Sequence, residues 1–166
     1  MKPNIPLLWR SKDGLYRVQI NRRCIPRMQR IATQHRPNEV GTPLAGHYEE
    51  NGHLAVITAL GPLPPDSKGG RTWFIRGVEG LQEHFQRLHR RFRGRRYRVG
   101  EWHSHPDAHP TASSVDDMNQ SELAEDVAEG LEEAILVILG GNLSDKSLLG
   151  VYVYSSKRGR VVLAPA

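Results

Sequence analysis

Residues 103–116 read HSHPDAHPTASSVD and hold the densest set of reactive side chains in the chain. Side chains two apart on a strand leave from the same face, so His103 and His105 project together if Tyr97–His105 is a strand. Two imidazole nitrogens at about 2.0–2.1 Å are ordinary zinc ligands. Asp116, brought back by the intervening loop, could supply a third. Three protein ligands with an open position describe a catalytic zinc site, whereas structural sites are closed by four. Zinc held this way makes water a nucleophile at neutral pH. A carboxylate outside the ligand set must then take and return the proton. Glu39, far upstream beside a Gly-containing turn, is the best candidate, and Ser113 could donate a hydrogen bond to the developing oxyanion.

Each of these residues also has a plainer role. Ser113-x-x-Asp116 is close to a helix capping box, and taken alone the pair is better explained as a cap than as catalytic machinery. The two roles are compatible, because a capped helix start would hold Asp116 rigidly. A lone His-x-His occurs by chance on surface strands. His109 sits in the loop out of the ligand register and reads as a bystander. Glu49 and Glu50 compete with Glu39 as base, but they flank an Asn-Gly turn where solvent is the expected surrounding. The weight rests on the joint pattern.

The elements that must position this set follow from periodicity. Leu15–Ile20 reads as a strand, followed by a helix that Asn21 can cap, with Pro26 near its start and Ile25, Met28, Ile31 and Ala32 as its apolar stripe. Arg36-Pro37-Asn38 breaks that helix. Glu39–Tyr48 and His53–Leu60 read as strands joined at Glu50-Asn51-Gly52. Residues 61–70 form a Pro- and Gly-rich loop, Thr72–Ile75 a short strand, and residues 77–93 a basic helix. After the strand Tyr97–His105, residues 107–112 are loop and Ser114–Glu129 helix. Glu133–Leu139 is nearly all apolar, as befits a strand covered on both faces. Leu149–Tyr154 and Arg160–Leu163 pair around Lys157-Arg158-Gly159. Alternating helices and strands predict an α/β chain, a mixed sheet flanked by helices, and no linker divides residues 1–166.

Composition bounds the function. With 38% hydrophobic and 25% charged residues, the chain fits a soluble globular domain. Its longest apolar run, Ala134–Leu139, is too short to span a bilayer, and its N-terminus lacks a secretory signal core. A cytoplasmic location without membrane contact is expected. Cys24 is the sole cysteine, so no internal disulfide or Cys-based zinc site forms. Its place in NRRCIPRMQRIA suggests packing in a helix rather than a nucleophile. A zinc nucleoside deaminase is disfavoured, because His47-Tyr48-Glu49 offers H-x-E but one cysteine cannot complete P-C-x-x-C. The net charge of +5 concentrates between Arg87 and Arg98, in RLHRRFRGRRYR. The run could serve nucleic acid or an acidic partner. The favoured reading is a solvated helix face, since Val78, Leu81, Phe85, Leu88 and Phe92 recur at helical spacing with Arg87, Arg90 and Arg91 between them. No aromatic stacking motif accompanies the charge, and nucleic acid is not expected as a partner.

The complete pattern resembles the JAB/MPN metalloprotease family, whose JAMM signature is a Glu upstream of H-x-H-P-x6-S-x2-D. Here it stands as His103-Ser104-His105-Pro106, six residues, Ser113, two residues, Asp116. Upstream, Glu39-Val40-Gly41-Thr42-Pro43-Leu44-Ala45-Gly46 is similar to the family's E-x-G-G-x-L-x-G, with Thr42 at the second Gly. Ala112 stands where Pro often precedes the Ser. The resemblance covers residues 15–155 and implies a single-domain JAB/MPN fold, cytidine-deaminase-like, with one zinc on His103, His105 and Asp116. It implies Glu39 as general acid/base and Ser113 as stabiliser of the tetrahedral intermediate. RTWFIRGVEGLQEHF and YRVGEWHSHP are closest to the bacterial branch, which includes the JAB peptidases of antiphage operons that also encode ubiquitin-type activating and conjugating enzymes.

In CBASS defence such a peptidase frees a cyclic-nucleotide synthase from proteins joined to its C-terminus, and in a related system a ubiquitin-like protein. The resemblance therefore implies a zinc isopeptidase, deubiquitinase-like, acting on a protein with an extended C-terminal tail. Extended tails often add as a strand to a sheet edge, and the loop Gly61–Gly70 and the strand near His103 are expected to border that groove. Two other readings are a catalytically silent MPN scaffold and a RadC-like, nucleic-acid-associated protein. A silent scaffold usually lacks one or more of the ligands this chain retains.

Overall fold

The structure is a computed structural model that describes residues 7–49, 53–125, 133–141 and 149–166. In chain order its elements are β1 (Leu7–Ser11), β2 (Arg17–Ile20), α1 (Cys24–His35), β3 (Gly41–Glu49), β4 (Leu54–Leu60), β5 (Lys68–Gly69) and β6 (Phe74–Ile75). There follow α2 (Leu81–Arg91), β7 (Tyr97–Pro106), α3 (Ser114–Glu125), β8 (Glu133–Gly141), β9 (Leu149–Ser155) and β10 (Gly159–Pro165). The expected turn at Glu50-Asn51-Gly52 and helical residues 126–129 lie outside the described residues.

The expected mixed sheet is present, but it is not open. Eight strands close into a barrel in the order β1-β10-β9-β8-β7-β3-β4-β2, while β5 and β6 form a separate hairpin. Two of the joints are parallel, β2–β4 and β7–β8, and the rest are antiparallel. Closure depends on β1, a strand the sequence reading did not contain. Trp9, Arg10 and Ser11 pair with Pro165, Ala164 and Leu163, at the opposite end of the chain, and Trp9 also pairs with Val18.

Alternation along the strands sorts side chains into two cores. Ile135, Val137 and Leu139 of β8 face the larger cluster, with Val99 and Trp102 of β7 and with Met28 and Ala32 of α1. Ala134, Leu136 and Ile138 face the other way, towards Ala124 of α3 and Tyr152 and Tyr154 of β9. The prediction that β8 is covered on both faces therefore holds, and it explains the strand's unbroken apolar run. α1 begins without the expected side-chain cap. Asn21 Oδ1 instead accepts the Arg23 N–H at 3.0 Å, closing a turn one step before the helix.

The basic helix is shorter than expected and only loosely seated. Leu81 is buried and Phe85 and Leu88 are half-buried, whereas Val78 and Phe92 are exposed. Arg87, Arg90 and Arg91 face solvent as the periodicity predicted. Among the described residues no helix is long and apolar enough to cross a membrane.

Candidate metal centre

β7 alternates as expected around the histidines. Trp102 and Ser104 are almost wholly buried, so His103 and His105 must point outward to the side of the sheet where α3 lies. Their Nε2 atoms come within 3.0 Å of each other, and each side chain is 12% exposed. Asp116, in the first turn of α3, places Oδ1 3.3 Å from His103 Nε2 and Oδ2 3.7 Å from His105 Nε2. Glu39 Oε1 lies 3.9 Å from His105 Nε2. All four candidate residues that sequence spacing singled out, drawn from three separate stretches, thus meet in one place. Ser113 stands beside them at the helix start.

Ser113 and Asp116 form the reciprocal cap. The Asp116 N–H donates to Ser113 Oγ at 3.1 Å, and the Ser113 N–H donates to Asp116 Oδ2 at 2.8 Å. The plain reading of this pair is therefore correct, and it does not compete with the other. The bond that caps α3 also fixes the Asp116 carboxylate at the histidines.

Glu39 is held differently from the sequence expectation. It does not lie on β3, which begins at Gly41, but in the two-residue approach to that strand. Its N–H donates to the Gly70 carbonyl at 2.8 Å, which docks the loop 61–70 against the site. Next to it, the Val40 N–H donates to Ser104 Oγ at 3.1 Å, and the Ser104 N–H donates to the Val40 carbonyl at 2.9 Å. Ser104 sits between the two histidines, so this doubled bond pins the Glu39 segment to the His-x-His strand. Gly41 makes the approach possible, because a Cβ there would fall 2.0 Å from the Trp102 carbonyl oxygen. Thr42 also gains an explanation: its buried Oγ1 accepts the Trp102 indole N–H at 2.8 Å, a donor that glycine would leave unpaired.

Sequence reasoning missed Ser104 as a positioning group. The signal was available, because the residue between two outward histidines must turn inward, and a buried hydroxyl needs a partner. It also set His109 aside, yet the His109 backbone carbonyl contacts His105 Nδ1 at 3.2 Å. A carbonyl only accepts, so this contact places the imidazole proton on Nδ1 and leaves the Nε2 lone pair facing the cluster. Arg36 pairs with Asp107, which adopts φ 59° in the turn after Pro106, and so links the end of α1 to the same loop.

The environment sets three charge states. Burial raises Glu39, and the negative charge of Asp116 adds to that; His103 opposes both, leaving the carboxyl at about 7. Burial would raise Asp116 as well, but hydrogen bonding to His103, the His103 charge and the Ser113 N–H and hydroxyl outweigh it and hold the group at about 2. His105 is shifted below its ordinary value, chiefly by burial and then by His103.

The donor set suits a divalent cation with nitrogen and oxygen preference. Zinc bonds of about 2.0–2.2 Å at tetrahedral angles put neighbouring donors roughly 3.3–3.6 Å apart. The 3.3 Å from His103 to Asp116 matches the short end of that edge, and the 3.0 Å between the histidines falls just below it. Glu39, His103 and His105 also offer three donor atoms that all lie within 4.8 Å of one another, so either carboxylate is within reach of a shared ion. The cluster can therefore hold a metal.

Comparison with known proteins is consistent with this geometry. The family described as prokaryotic homologs of the JAB domain matches residues 22–156. A protein of Enterobacter hormaechei subsp. hoffmannii named CD-NTase/cGAS isopeptidase is 36% identical over 132 residues, covering 80% of this chain and 72% of that protein. Among solved structures, a Desulfitobacterium hafniense protein studied in solution superposes with a TM-score of 0.55 at 18% identity. That superposition covers 90% of this chain and 89% of the other, a likeness of fold alone.

Proposed function

The chain belongs to the prokaryotic homologs of the JAB domain, and from that premise we propose that it is a zinc-dependent isopeptidase. Its substrate is a protein whose extended C-terminal tail is joined to a target lysine. The similarity to the CD-NTase/cGAS isopeptidase favours a conjugated cyclic-nucleotide synthase over a ubiquitin-like protein, within bacterial antiphage defence alongside activating and conjugating enzymes. The observation that carries the reading is the meeting of Glu39, His103, His105 and Asp116 at 3.0–3.9 Å.

Charge state separates the two carboxylates. A ligand must be ionised before a cation arrives, and Asp116 at about 2 meets that condition across the physiological range. Glu39, near 7, is instead suited to exchange protons at neutral pH. His103, His105 and Asp116 are accordingly the metal ligands and Glu39 the general acid/base. A bound zinc ion would supply Lewis-acid activation of water and of the scissile carbonyl.

The chain's own groups then divide the work. Glu39 takes a proton from water as the oxygen adds to the carbonyl carbon. It returns that proton to the lysine nitrogen as the C–N bond breaks, leaving a carboxylic acid and an amine. Transfer of the acid's proton to the amine gives the carboxylate and the lysine ammonium. The Ser113 hydroxyl accepts the Asp116 N–H but keeps its own proton, which it donates to the carbonyl oxygen as that atom gains charge. The substrate tail lies between the β5–β6 hairpin, which meets Glu39 through the Gly70 carbonyl and exposes Trp73 and Ile75, and the first turns of α3, which expose Val115 and Met118.

The test is incubation with a synthase conjugate and, in parallel, a ubiquitin-like conjugate, with and without a chelator. The expected result is release of the free synthase, blocked by chelator and restored by zinc. Cleavage that persists in chelator, or intact conjugates under every condition, would overturn the proposal.

A further inference from the structure

The loop between the histidines and α3 is held from beneath by one side chain with no part in the proposed chemistry. The Tyr152 hydroxyl, almost wholly buried on β9, donates to the Pro110 carbonyl at 2.7 Å and accepts the Ala112 N–H at 3.3 Å. One oxygen therefore clasps both sides of Thr111. Gly150, two residues earlier on the same face of β9, leaves space for the loop, since a Cβ there would fall 2.1 Å from the Pro110 carbonyl oxygen. The loop's other end is tied where the Gly141 N–H donates to the Ala108 carbonyl at 2.7 Å.

What this loop carries gives the clasp its meaning. His109, immediately before Pro110, supplies the carbonyl that fixes the proton of His105 on Nδ1. Ala112, at the other side of the clasp, is followed directly by the Ser113–Asp116 cap. Ala112 stands in a loop without a proline at that position to stiffen it, and the hydroxyl bond restrains the same backbone from outside.

We propose that Tyr152 is a positioning residue for the metal centre: through Pro110 and Ala112 it sets the ring orientation and tautomer of His105 and the placement of Asp116. The proposal rests on the metal-ligand reading given above. Groups that orient metal ligands from behind change affinity by about 10–100-fold when removed, and the Tyr152 hydroxyl acts on two ligands at once.

The test compares Tyr152→Phe with Tyr97→Phe. The second substitution deletes an equivalent hydroxyl, which accepts the Tyr48 N–H at 2.8 Å near the start of β7, on the other side of the barrel sheet from the clasped loop. Zinc affinity and the visible spectrum of the cobalt(II)-loaded protein are measured for both, with cooperative thermal melting of the metal-free proteins as a second readout. Tyr152→Phe should weaken zinc binding by about 10–100-fold and shift the cobalt bands while still melting cooperatively, and Tyr97→Phe should leave affinity and spectrum unchanged. Wild-type affinity and spectrum in Tyr152→Phe would overturn the proposal. So would loss of its cooperative melt, which would make the hydroxyl a folding requirement, or an equal loss of metal in Tyr97→Phe. A wild-type protein that takes up neither metal would instead remove the underlying reading, and the two failures are thus distinct.

Discussion

Replacing Ser104 with Ala tests how Glu39 is brought to the histidines. The substitution removes one oxygen from a fully buried site and leaves the Val40 N–H, itself in a residue 2% exposed, without an acceptor. Losing the bond and stranding its donor together cost about 1–3 kcal/mol. For a domain of this size that lowers the melting temperature by roughly 3–10 °C. The Ser104 N–H to Val40 carbonyl bond survives, so the chain should still fold and pair β3 with β7. Glu39, one residue before Val40, would then be held by its bond to Gly70 and by one Val40–Ser104 bond instead of two. Displacement of a proton-transfer group by about 1 Å can cost on the order of 100-fold in rate. Denaturant unfolding of chelator-treated protein and conjugate cleavage of the zinc form measure the two effects, with Ser104→Thr as the variant that keeps the hydroxyl. The reasoning fails if Ser104→Ala is within about 0.5 kcal/mol of wild type and cleaves at the wild-type rate.

Other predictions concern the carboxylates. Glu39→Gln should retain zinc, by elemental analysis, yet lose at least about 100-fold in cleavage rate; undiminished turnover would remove Glu39 from the mechanism. In metal-free protein the folded state holds the Glu39 proton up to about 7, against an ordinary value near 4.5, so it binds more protons than the unfolded chain between those values. Glu39 should therefore contribute about 1–3 kcal/mol of stability that is lost as pH rises through that window, and the pH slope should change accordingly in Glu39→Gln; identical slopes in urea titrations would contradict this. Asp116→Ala should lower the stability of metal-free protein by about 1 kcal/mol through the lost cap and abolish zinc binding. Asp116→Asn keeps an acceptor for the Ser113 N–H and should recover most of that stability but not the zinc, as calorimetric titration can show. Wild-type zinc affinity in Asp116→Asn would reduce Asp116 to a cap.

Local periodicity made much of this site legible. His103 and His105 share a face because a strand alternates, and Ser113 and Asp116 meet because a capping box spans three residues. Both arguments need only neighbours in sequence. What could not be read depends on contacts across the chain. Glu39 was expected on a strand, but its backbone is set by Gly70 and, through Val40, by Ser104, positions 31 and 64 residues away from their partners. The short segment Leu7–Ser11 carries no clear alternation, and its pairing with both β10 and β2 makes it a strand and closes the barrel. The clasp of Tyr152 on Pro110 and Ala112 joins positions about forty residues apart and leaves no mark on local composition. The basic run from Arg87 to Arg98 illustrates the converse. Arg91 and Arg96 lie over the exposed Phe92 ring at 5.6 and 5.2 Å, an ordering of the basic face that charge counting could not show.

The metal content of the purified protein tests the central claim most directly. Elemental analysis of the wild type beside a His103→Ala/His105→Ala variant should find one equivalent of zinc in the first and none in the second. Equal zinc in both, or none in a folded wild type offered the ion, would contradict the account.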